Sequence, residues 1–158
     1  YDAGLAQTNN PRANFPNYTQ SENIGKNLFF SNRTRCSDCH DTNSFVGDEA
    51  RNNGLDAFIT DDGVNRGEFK VPSLRNIELT GPFMHDGRFS TLAEVIEHYN
   101  SGVQNSQNLD GRLRVRNGVR RLNLSNQEKQ ALVDFLNTLT DQNFINDEKY
   151  SNPFLNQE

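Results

Sequence analysis

The sequence predicts an all-α fold of several short helices joined by long loops. Two observations predict it. Apolar residues recur at i, i+3, i+4 and i+7 behind helix-capping signals. No segment alternates apolar and polar residues as a half-buried strand would. There is no internal repeat and no low-complexity stretch.

Residues 1–20 read as an irregular arm, polar and carrying Asn9, Asn10, Pro11, Pro16 and Asn17. Ser21 then looks like an N-cap, with Ile24, Leu28 and Phe29 on one face of a helix ending near Asn32. Residues 41–68 are rich in Asp, Asn and Gly, which predicts loop. Pro72 interrupts the mixed stretch Phe69–Leu79, and Gly81-Pro82 marks a turn.

Thr91 to Glu94 is a capping box, followed by Leu92, Val95, Ile96 and Tyr99 as one apolar stripe. Asn100-Ser101-Gly102 ends that helix. Residues 103–124 form a further polar loop with Arg112, Arg114, Arg116, Arg120 and Arg121; it reads as solvated, with docking of an acidic partner as the other reading. Ser125 to Glu128 is a second capping box, and Leu132, Phe135, Leu136 and Leu139 repeat the helical spacing. The division expected is an arm (1–20), a domain (21–140) and a tail (141–158). The tail's Phe144, Tyr150, Pro153 and Phe154 predict that it packs back on the domain.

The chain has 158 residues, enough for one real core. Apolar residues make up 33% and the mean hydropathy is −0.84, thin for a core of this length. A large buried apolar cofactor or long polar loops account for that equally well. The net charge of −5 argues against nucleic acid, which needs a basic footprint. No apolar run approaches the ~20 residues of a membrane span. No signal peptide is visible at Tyr1, so the chain reads as processed or as part of something longer.

Both cysteines sit in Cys36-Ser37-Asp38-Cys39-His40, so they mark a site rather than a scaffold. C-x-x-C-H is the attachment pattern of a c-type haem. Two thiols three residues apart add across the two vinyl groups on one ring edge, and the adjacent imidazole reaches the iron. A thioredoxin-like motif wants a strand before it, whereas a helix is expected here. Zinc held by Cys36, Cys39, His85 and His98 is the other rival, but those histidines lie thirteen residues apart and finger spacing is three to five.

With His40 on one side of the iron, the candidates for the other are Met84, His85, His98 and Tyr99. Met84 is the only methionine, forty-four residues past His40, and methionine is also a good gap-filler beside a large ring. Tyr99 lies on the inward stripe; His98, roughly 100° around the helix, is expected to face solvent. On the residues alone Met84 is slightly favoured. Arg75 is a candidate partner for a haem propionate, and the Pro72 carbonyl for the His40 Nδ1–H.

FKVPSLRNIELTGPFMHDGRFSTLAEVIEHY (Phe69–Tyr99) and LVDFLNTLTD (Leu132–Asp141) resemble the second haem domain of the di-haem cytochrome c peroxidase and MauG family, over roughly residues 20 to 155. The resemblance implies a class I cytochrome c fold around one covalent haem. It implies that the residue fourteen after His85, which is Tyr99, ligates the iron, with Met84 as the alternative. It also implies a calcium between the family's two domains, held partly by carbonyls matching Thr80 and Pro82. The remaining protein ligand comes from the other domain, so calcium is not expected here. Family enzymes carry two C-x-x-C-H motifs, one haem meeting peroxide and the other relaying electrons. This chain has one, matching the relay domain.

The function expected is therefore a monohaem cytochrome passing single electrons to a transient redox partner, in the periplasm or otherwise outside the cytoplasm. The rival is a peroxidase or MauG-like enzyme, with His85, His98 or Glu94 as acid–base groups. A haem sensor is a second rival.

Overall fold

The computed structural model describes residues 1–151 and Phe154. Its helices are α1 (Asp2–Thr8), α2 (Gln20–Phe29), α3 (Leu92–Glu97), α4 (Asn126–Asn137) and α5 (Gln142–Ile145). Single 3₁₀ turns stand at Cys36–Asp38, Ile77–Leu79, Gly111–Leu113 and Glu148–Tyr150. Two antiparallel ribbons correct the all-α expectation: β1 (Ala50–Arg51) pairs with β2 (Phe69–Lys70), and β3 (Arg114–Val115) with β4 (Gly118–Val119). Each strand is two residues long, too short to leave an alternating signal. The fold is mostly helical, with small sheets added.

Helix α4 forms as its spacing predicts. Ser125 and Glu128 cap each other, and Leu132, Phe135, Leu136 and Leu139 all enter the core. Helix α2 differs from expectation. Its N-cap is Thr19, whose hydroxyl accepts from the Glu22 amide while the Glu22 carboxylate accepts from the Thr19 amide. Ser21 instead donates to Asp134 on α4. The inward face is Asn23, Gly25, Lys26 and Phe29, and Ile24 is 42% exposed. The reason is the crossing with α4. A Cβ on Gly25 would lie 1.8 Å from the Ala131 carbonyl oxygen, so the helices meet where α2 has no side chain.

The arm is not irregular throughout, because α1 occupies its first residues. Tyr1 packs its ring against Phe15, Phe30, Phe45 and Phe135, at centroid distances of 4.9 to 6.5 Å. Lys26 is fully buried and pins the arm: its Nζ donates to the carbonyls of Pro11 at 2.8 Å and Ala13 at 2.7 Å. Burial lowers its pKa, and the ammonium sits 4.5 Å from the Phe15 ring centre.

The tail is tied at its start, where the Asp141 amide donates to Asn76 Oδ1 at 2.7 Å. Residues 141–151 are exposed, and Phe144 and Tyr150 pack on each other at 4.6 Å. Pro153 lies outside the described residues. No helix among the described residues is long and apolar enough to cross a membrane.

Glu97, at the end of α3, accepts from Lys129 Nζ on α4 at 2.7 Å and from Ser101 and Asn100. These hydrogen bonds, Lys129's first, hold its carboxyl down to about 2. A depressed folded value means stabilisation that is present above the ordinary carboxylate range and lost as the pH falls toward about 2. Denaturant titrations in acid should therefore show the native chain losing stability from pH 4.5 downward, and Glu97→Gln losing less over that window. Gly25→Ala should destabilise the fold by about 1–3 kcal/mol in denaturant unfolding, through the forced separation of α2 from α4.

Candidate haem site

The motif is delivered by the end of α2. The Ser31 hydroxyl donates to the Leu28 carbonyl at 2.7 Å, and Thr34 does the same, closing the chain back after the helix. Arg35, at φ 58, opens the 3₁₀ turn Cys36–Asp38 and pairs its Nε with Asp38 at 2.7 Å. The amides of Cys39 and His40 both donate to the Cys36 carbonyl, at 3.2 and 3.1 Å. The five residues are thus one folded unit. Both cysteines are free thiols. Burial pushes the Cys36 thiol up to about 11 and raises Cys39, with Asp110 adding to the latter. Asp110 itself lies between Arg51 at 3.3 Å and Arg112 at 3.2 Å.

His40 Nδ1 is 2.9 Å from the Phe45 carbonyl. A carbonyl only accepts, so Nδ1 carries the proton and Nε2 keeps the lone pair a metal would use. Burial lowers the ring's pKa and favours this neutral form. The Pro72 carbonyl also acts on the ring, as the sequence suggested, but Phe45 is the partner at hydrogen-bond distance. Phe45 sits at φ 54, an outlier for so bulky a residue, and that turn aims its carbonyl.

On the other side, α3 ends in a π-helical turn, His98–Gly102. Its wider winding rotates each residue less than an α-helix does. Neighbours 98 and 99 can therefore both face inward, and the expectation that His98 faces solvent fails: His98 is 5% exposed. Its Nε2 donates to the Asn53 carbonyl at 3.1 Å. Tyr99 is half-buried, its ring 5.2 Å from that of His98. Burial pushes its hydroxyl up to about 12; the Asn53 side chain hydrogen-bonds to it, and Cys39 and Cys36 also act on it. Met84, at φ 72, accepts at Sδ from Asn53 Nδ2 at 3.3 Å. Met84 and Tyr99 therefore meet the same carboxamide.

The remaining candidates have protein partners of their own. Arg75 forks onto Asp2, both contacts at 2.7 Å, and donates to the Asn43 carbonyl at 2.9 Å. Its carboxylate is one of the chain's own. His85 is exposed and stacks on Phe69 at 3.7 Å. Glu94 is held by its capping box, accepting from Ser90, Thr91 and the Thr91 hydroxyl. The arginine loop is anchored rather than simply solvated. Arg114 donates to the carbonyls of Ser106, Gln107 and Leu109, and Arg121 to that of Val103.

Among the described residues no three His, Cys, Asp or Glu side chains converge on a metal position, which leaves the zinc reading without support. Two half-buried thiols in one turn, a neutral imidazole with its lone pair on Nε2, and half-buried Phe30, Leu74, Phe89 and Val95 against the core are a donor set and lining that fit a c-type haem.

The comparisons agree. A family model described as di-haem cytochrome c peroxidase matches residues 19–148. The chain belongs to this family. Methylamine utilization protein MauG of Methylorubrum extorquens is 31% identical over 122 residues, 70% of this chain and 32% of that protein. Cytochrome-c peroxidase IdrP1 of Denitromonas iodatirespirans is 38% identical over 74 residues, 47% of this chain and 18% of that one. The crystal structure of a MauG-like protein associated with microbial copper homeostasis superposes with a TM-score of 0.73 at 31% identity, over 86% of this chain and 51% of that one. The chain spans about a third of the length of the MauG proteins it matches. Membership implies a c-type haem. The relatives' names favour the peroxidase or MauG-like reading over the plain electron carrier.

Sequence reasoning missed Asn53 and Phe45. Neither carries a local signal: Asn53 sits in a loop full of Asn and Asp, and Phe45 acts through its backbone. Replacing Cys36 and Cys39 together by Ser should abolish covalent haem in protein expressed with a cytochrome c maturation system. Intact mass should then be that of the bare polypeptide, while the native chain gains one haem.

Proposed function

We propose that this chain is the electron-relaying haem domain of a MauG-type, peroxide-using enzyme. In this reading Cys36 and Cys39 would hold the haem through their thiols, and His40 Nε2 and Tyr99 would be the residues that ligate its iron. The bound haem would supply one-electron redox chemistry. The observation that carries the reading is the placement of Tyr99: inward, on the π-helical turn, packed against the same core cluster as Cys36.

The chain's own groups have defined parts. The Phe45 carbonyl keeps the proton on His40 Nδ1 and so keeps Nε2 available. Phe29, its ring 6.4 Å from that of His40, and Phe45 exclude water from that side. Tyr99, ligating as a phenolate, would favour the ferric state and lower the reduction potential.

The acid–base groups considered for peroxide are engaged. His98 Nε2–H is held by the Asn53 carbonyl, Glu94 by its cap, and His85 lies on the surface against Phe69. That supports a division of labour in which peroxide meets a second haem-bearing unit and this domain passes electrons to or from a redox partner. Attachment of the haem places the mature protein outside the cytoplasm in this reading.

Ferric absorption spectra of the matured chain test it. Tyr99→Phe should change the ligand-dependent bands and Met84→Leu should leave them unchanged; the reverse pattern would make Met84 the ligand. Peroxide should be consumed slowly by the chain alone, and rapid turnover by it alone would overturn the relay role.

A further inference from the structure

Asn53 contacts both His98 and Met84 on the far side of the site. Its backbone carbonyl accepts from His98 Nε2 at 3.1 Å. Its Nδ2 donates to Met84 Sδ at 3.3 Å. Its side chain also acts on the Tyr99 hydroxyl, opposing the upward push of burial. A carboxamide nitrogen has two protons, enough to meet a sulfur and an oxygen together.

The loop that presents it is pinned on both flanks. Asn52, buried, accepts at Oδ1 from the Gly54 amide at 2.8 Å and from the Ser106 hydroxyl at 3.4 Å. The Asp110 amide donates to the Asn52 carbonyl at 3.0 Å, and the Gln104 amide to that of Gly54 at 2.7 Å. Gly54 is at φ 68, and a Cβ there would meet Val103 at 2.6 Å. Asn53 is therefore held in place by its neighbours' bonds, while its own carboxamide is turned to Met84 and acts on Tyr99, the two candidate iron ligands.

Those two side chains respond to a donor in opposite ways. A thioether binds iron through a sulfur lone pair, and an N–H pointing at that sulfur competes for it. A phenolate carries full negative charge, and an N–H pointing at its oxygen stabilises the charged form. We infer that Asn53 is a positioning residue that selects Tyr99 over Met84 as the axial ligand, by drawing the Met84 sulfur away and supporting the Tyr99 oxygen. This rests on the haem reading above and adds the residue that decides its ligand.

The test uses full-length, haem-loaded protein and reads ferric spectra and reduction potential, which a merely structural change would not move toward the thioether type. Asn53→Leu removes both N–H groups. Asn53→Asp is isosteric and keeps the backbone carbonyl that holds His98, so it serves if the leucine variant does not fold. Either should lose most of the phenolate-type absorption, gain a thioether-type band and raise the potential. Adding Met84→Leu to either should remove the new band. If both single variants keep the native spectrum and potential while Tyr99→Phe changes them, Asn53 is not the selector and the ligand reading stands. If Tyr99→Phe leaves the native spectrum unchanged, the ligand reading fails and the inference falls with it.

Discussion

The close approach of α2 to α4 governs the rest of the architecture. Gly25 has nothing beyond its backbone to place against the Ala131 carbonyl, so the helix axes come nearer there than side chains would permit. Phe29, one turn on, is then pressed against Phe135, their ring centres 5.2 Å apart. From Phe29 the chain has only a few residues before Cys36, and the hydroxyls of Ser31 and Thr34 close it tightly. The position of the thiols and of His40 is therefore inherited from a helix crossing several residues upstream.

The opposite side follows a different logic. There a change of winding, not a close contact, sets the geometry. Helix α3 is capped where its sequence says it should be, and Leu92 and Ile96 are buried as the stripe requires. The passage into a π-helical turn at His98 then brings two consecutive residues inward. His98 ties that turn to the Asn53 loop, and Asn100 ties it to Leu122 and Leu124 beyond. Irregular winding at a helix end recurs at functional positions because it moves a side chain without moving the helix.

Much of this was legible in the residues. C-x-x-C-H names the cofactor class, and the two capping boxes locate α3 and α4 almost to the residue. What escaped was of two kinds. Some of it depends on contacts between distant segments: the face that α2 buries is chosen by Ala131, and Asn53 matters only because residues 84 and 99 reach it. The rest depends on the backbone itself. The turn at Phe45, the winding at His98 and the two-residue ribbons follow from main-chain conformation, which spacing rules for side chains do not describe.

Lys26 carries a consequence for how the molecule comes apart. Its ammonium is enclosed and is satisfied by the carbonyl dipoles of Pro11 and Ala13, with Asn27 beside them. Detaching residues 10–15 while α2 stays folded would break these bonds and those between Asn23 and Phe15, and would expose the Phe15 ring. The amino-terminal segment and α2 are therefore bound into a single cooperative unit, and the aromatic cluster over the His40 side opens to solvent only when that whole unit opens.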